Sequence, residues 1–163
     1  MKELLDKISS YNIFNYLLPG VIFSYIVTST CEYNLVQKDL IAGAFIYYFV
    51  GLIISRFGSL IIEPLLKRTS FLKFADYKDF VEASKKDEKI DIISESNNMY
   101  RTLLSMMILI GLLQVYKYLE IVWIGLEKYS HIILILLLIV MFLFSYRKQS
   151  NYITKRINAN KNE

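Results

Sequence analysis

The residues in this sequence that could do chemistry are few and scattered. His131 is the only histidine and Cys31 the only cysteine, so neither a Cys/His zinc set nor an internal disulfide can form. No paired acids stand ready for general acid–base hydrolysis, and no nucleophile has a base beside it. A catalytic site, a bound metal and a cofactor are therefore not expected, and the chain is read as a non-enzyme. What remains is a set of polar and small residues inside long apolar stretches. Gly20, Ser24 and Thr28 form one stripe at four-residue spacing, and Gly51, Ser55 and Ser59 form a second. Such stripes let helix backbones approach closely in lipid, where apolar burial no longer drives association. Arg56 and Gln114 are the intramembrane polar residues, Arg56 being the only formal charge within its apolar run. A charge at that depth either has a function or lies close enough to the boundary for its long stem to reach lipid phosphates, and the second reading is preferred. Gln114 either bonds across helices or marks the end of a span.

The elements that must carry these residues follow from composition. Of the 163 residues 55% are hydrophobic, the mean hydropathy is +0.37, and the charges cluster at residues 67–101 and after Tyr146. That segregation is what a bilayer imposes, because every backbone polar group inside it must pair within its own helix. The expected fold is an all-α membrane bundle of four transmembrane helices, at residues 17–31, 40–62, 102–118 and 131–146. Pro19 is expected to open the first span and Glu63-Pro64 to end the second. A 16-residue span covers only about 24 Å against a hydrocarbon core of roughly 30 Å, so Arg101, Lys117 and Arg147 would snorkel or the bilayer would thin. Residues 1–13 read as an amphipathic interfacial helix rather than a cleaved signal peptide, since Glu3 and Asp6 offset Lys2 and Lys7.

Lysine and arginine set the orientation. Two precede the first span, eight lie in residues 67–101 and five follow the fourth span, against one and two in the other loops. The positive-inside rule then places both termini in the cytoplasm. Tyr116, Tyr118, Trp123 and Tyr146 border the spans as interfacial anchors would. The net charge of +4 is assigned to anionic lipid rather than nucleic acid, because the basic residues flank apolar spans.

Residues 67–100 form a cytoplasmic helical loop, and residues 147–163 a basic cytoplasmic tail. Phe74, Tyr77 and Val81 recur at i, i+3 and i+7 among Asp76, Lys78, Asp79 and Glu82, which describes an amphipathic helix with a surface for a cytoplasmic partner. The sequence Ser94-Glu95-Ser96-Asn97-Asn98 either caps the third helix or breaks the chain before it.

The segment Asn12-Ile13-Phe14-Asn15-Tyr16-Leu17-Leu18-Pro19-Gly20 resembles the entry to the first span of small multi-pass bacterial membrane proteins, some of which are similar to membrane components of antiphage defence systems. The resemblance implies a membrane effector or effector subunit that acts with a cytoplasmic partner in the bacterial inner membrane, and the small-residue stripes, the short spans and the basic inner face support one that oligomerises and disturbs that membrane. The alternatives are a passive anchor or assembly subunit for a cytoplasmic protein, and a small-solute transporter or channel. The absence of an Asp or Glu well inside any span counts against proton-coupled transport.

Reporters fused after Lys86 and at the C-terminus are expected to be cytoplasmic, and those at Asn34 and Lys128 exported. A cytoplasmic signal at Lys128 would rule out the four-span arrangement.

Overall fold

The computed structural model describes residues 10–31, 33–123 and 125–161, and all regular structure among them is helical. Helix α1 covers residues 10–31, α2 Leu40–Arg68, α3 Tyr77–Lys86, α4 Lys89–Val122 and α5 Leu126–Lys161. Four helices (α1, α2, α4 and α5) are long and apolar enough to cross a membrane. Residues 1–9 of the expected interfacial helix lie outside the described residues, whereas residues 10–13 belong to α1.

The helices outrun the expected spans. With 34 and 36 residues, α4 and α5 extend about 51 and 54 Å, well beyond the ~30 Å of a hydrocarbon core. The expected shortfall in span length disappears, because each uncharged stretch continues into polar helix rather than into loop. Residues 94–98 accordingly neither cap nor break α4, and residues 147–161 of the expected tail are the last turns of α5.

Both prolines lie inside continuous helices, which corrects the expectation that Pro19 starts one and Pro64 ends another. The reason is the same in each case. A five-residue π turn, Ile13–Leu17 in α1 and Gly58–Ile62 in α2, ends two residues before the proline. The intervening residue reaches back five positions, Leu18 N–H to Ile13 O and Glu63 N–H to Gly58 O. Widening the turn makes room for a ring that would otherwise strike the preceding carbonyl.

Packing is closest between α1 and α2, which run antiparallel and are joined through the loop and bend at residues 33–39. A Cβ added at Gly20 would land on the Tyr47 carbonyl oxygen, and one at Gly51 on the Tyr16 carbonyl oxygen. Each glycine thus accepts the other helix's backbone. Helix α4 closes a three-helix core around Phe23, Val27, Cys31, Ile54, Met106 and Ile110. Helix α5 stands apart from it. None of its most apolar 18-residue window is buried, and its ring contact with the core helices is Phe142 stacked on Phe49 at 6.2 Å.

Gly51→Ala is expected to destabilise the protein by about 1–3 kcal/mol through backbone separation. Leu137→Ala, at a side chain 62% exposed, should change stability by less than about 0.5 kcal/mol. Thermal unfolding in detergent checks the order, and equal effects would contradict the close-contact account.

Candidate functional site

At one end of the bundle α2, α4 and α5 leave their apolar stretches together, and three cations converge there on one carboxylate. Glu63, one residue before Pro64, is 6% exposed. Its Oε1 accepts from Lys67 Nζ at 3.0 Å, one turn further along α2, and its Oε2 accepts from Arg101 Nη1 of α4 at 2.6 Å. Lys148 Nζ of α5 approaches Oε1 to 3.7 Å. The same ammonium donates to Ser59 O at 2.6 Å and Ser59 Oγ at 2.7 Å.

The Ser59 bond follows from the proline. Continuing the five-residue register, Pro64 would donate to Ser59 O but has no N–H. Lys148 supplies a donor from another helix, so a backbone defect in α2 becomes an attachment point for α5. Gly58 lets α4 lie close beside this turn, since a Cβ there would meet Ser105 Oγ and Arg101 Cγ. Ser105 Oγ in turn donates to Arg101 O at 2.6 Å.

One helical turn deeper lies a second polar group. Asn15, fully buried in the π turn of α1, accepts from Thr102 Oγ1 at 2.8 Å and donates to Ser55 Oγ at 3.5 Å. Three helices are joined by side chains whose polar atoms would otherwise meet only hydrocarbon. At the opposite end Glu120 is bonded by Tyr33 Oη at 3.5 Å and Ser130 Oγ at 3.3 Å and paired with Lys117 at 3.3 Å. Burial, followed by the nearby Glu120 carboxylate, pushes the Tyr33 phenol up from its ordinary pKa.

The residues singled out by sequence are distributed unevenly over this arrangement. Gly20 and Gly51 meet across the α1–α2 contact, and Ser55 faces Asn15. Ser24 is fully buried with no partner for its hydroxyl among the described residues, whereas Thr28 turns to the following loop and accepts from Leu35 N–H at 3.1 Å. Ser59 serves Lys148 rather than α1. Arg56 is half-buried and Gln114 exposed, and neither has a polar partner among the described residues.

The expected partner surface needs correction. Val81 is 1% exposed, and Tyr77 packs on Tyr152 with ring centroids 5.8 Å apart, because α3 lies against the distal part of α5. Phe74 precedes α3 instead of belonging to it, is 49% exposed, and has Lys67 Nζ 4.0 Å from its ring centre. Of the three, Phe74 alone remains outward.

Sequence reasoning missed Asn15, Thr102, Lys148 and Glu120. The Glu63–Lys67 spacing of four is a readable helix pair, but Arg101 and Lys148 are 38 and 85 residues from Glu63 and give no local signal. The site has no hydrolytic constellation, and no cluster of His, Cys, Asp or Glu among the described residues could hold a metal ion. Its geometry serves to fasten three helices.

Glu63→Gln leaves the cations without their carboxylate and is expected to destabilise the fold by about 3–5 kcal/mol. Lys148→Met leaves Glu63 two partners and should cost less, while weakening the attachment of α5. Spin labels at residues 45 and 139 should show a broadened distance distribution in K148M, and a distribution as narrow as the parent's would show that Lys148 does not hold α5. Comparisons with protein-family models, curated proteins and solved structures find no match to this chain.

Proposed function

We propose that this chain is the membrane anchor and assembly subunit for a cytoplasmic protein, seated in a bacterial inner membrane with both termini inside. The observation that carries the reading is the continuation of α2, α4 and α5, with α3, into a helical layer beyond the apolar stretches. On that layer Leu65, Phe71, Phe74, Ile92 and Ile93 are between 49% and 76% exposed. Apolar side chains displayed outside the apolar zone suit a protein partner. The lysine and arginine asymmetry supports placing the layer in the cytoplasm.

Two grounds for an oligomeric, membrane-disturbing effector are weaker than the sequence alone suggests. Gly20 and Gly51 engage each other within one chain, and each of the four apolar helices is long enough to span. One feature favours the effector as a second reading: α5 presents Ile132, Leu136, Ile139 and Leu143 outward, free to meet lipid or another copy. The resemblance of residues 12–20 to membrane components of antiphage systems is compatible with either role.

Membrane potential during induced expression, with and without neighbouring genes, separates the two. An anchor leaves the potential unchanged in both cases, and its Phe74→Ser/Ile93→Ser variant should lose co-purification of the cytoplasmic partner while keeping its membrane level. Depolarisation on expression would overturn the anchor in favour of the effector.

A further inference from the structure

The uncharged stretch of α4, residues 102–116, holds Thr102, Ser105, Gly111 and Gln114 among large side chains. Thr102 and Ser105 are buried and bonded, to Asn15 and to the Arg101 carbonyl. Gly111 and Gln114 point the other way. Both are exposed, a Cβ at Gly111 would meet nothing within 4 Å, and the Gln114 amide has no polar partner among the described residues. Depth makes that amide unfavourable. Gln114 lies about 20 Å along α4 from Arg101 at the charged end, and so roughly 10 Å short of the far side of a hydrocarbon core of about 30 Å. Long lysine and arginine stems reach back to headgroups from within lipid, but a glutamine stem is too short for that distance. An amide facing hydrocarbon without a partner is costly, so this face of α4 is chemically incomplete.

The group's own chemistry says what completes it. A carboxamide is donor and acceptor at once, so it pairs with its own kind. Tyr100, Leu104, Met107, Gly111, Gln114 and Tyr118, all exposed, recur at alternating steps of four and three residues over about 27 Å of helix. A period of 3.5 residues is that of two helices wound left-handed about each other. Copies of one chain share one orientation in a bilayer, so a two-fold axis along the membrane normal sets their α4 helices parallel with both Gln114 amides at the same depth. Gly111, one turn away, lets the two backbones close to bonding distance. We infer that α4 is the self-association helix of this protein: two copies pair along the face of residues 100–118, and their Gln114 amides hydrogen-bond across the interface. The pairing stands apart from the proposed anchor role, since it requires only that α4 spans a bilayer.

The test uses purified full-length protein in phosphatidylcholine liposomes. Energy transfer between donor- and acceptor-labelled copies, followed as the protein-to-lipid ratio is varied, reads the dimerisation constant. Gln114→Leu should weaken dimerisation about tenfold, and Gly111→Leu at least as much. Both side chains face away from the core, so these variants should keep the parent's helical content. In a Cys31→Ser background, Met107→Cys should oxidise to a disulfide-linked dimer, whereas Leu112→Cys, exposed but off the pairing face, should not. A parent chain whose energy transfer is no greater than random proximity gives would overturn the proposal and leave the face to lipid. Undiminished dimerisation of Gln114→Leu would overturn it as well, as would equal cross-linking from Met107→Cys and Leu112→Cys, either of which moves the contact to another face, such as that of α5.

Discussion

Two carbonyl oxygens, those of Tyr16 and Tyr47, occupy space that any side chain at Gly51 or Gly20 would fill. The remaining interior is arranged around that approach. With the backbones of α1 and α2 this close, Asn15 comes within reach of Ser55, and Thr102 of α4 completes the group. The aliphatic core of Val27, Ile54 and Met106 then fills the half nearer the Tyr33 loop, giving an interior that is polar toward the charged end and dry toward the other. In a bilayer, where apolar surface gains nothing by leaving lipid for protein, such close backbone packing and interhelical hydrogen bonds are the forces available.

The attachment of α5 is of a different kind. Its apolar stretch has little cover, and polar groups hold it near both ends, Lys148 against Ser59 and Glu63, and Ser130 against Tyr116 and Glu120. A helix fixed at its ends and bare between them leaves most of its surface to lipid. The bundle is best described as a packed trio with a fourth helix clipped alongside.

How far the sequence discloses this depends on the range of the physics involved. The four spans were legible because hydrocarbon sorts residues by composition over some 20 positions at a time. The stripes were legible because they repeat at helical spacing, although Thr28 turned out to face a loop. Proline is no guide to the helix ends here, since a π turn that absorbs a proline leaves no mark of its own in composition. The burial of Val81 is not legible in the sequence, because periodicity tells that a face is apolar, not which neighbour covers it. The Glu63 cluster was invisible for a similar reason: its cations lie on three helices and each has an adequate explanation as a boundary residue.

The π turn at Gly58–Ile62 also acts as a phase correction. Steps of four residues drift about 40° around an α-helix, so three steps from Gly51 should carry Glu63 roughly 120° off the glycine's face. One surplus residue in the turn sets the helix back by about 100°, leaving a net offset of only ~20°. Gly51, Ser55, Ser59 and Glu63 are in fact all buried, a single row of period four. The same rotation separates Glu63 from Arg56, with which a regular helix would have aligned it. The proline that forbids regular geometry is thus the reason a row that begins on a bare backbone ends on the one acid that gathers three helices.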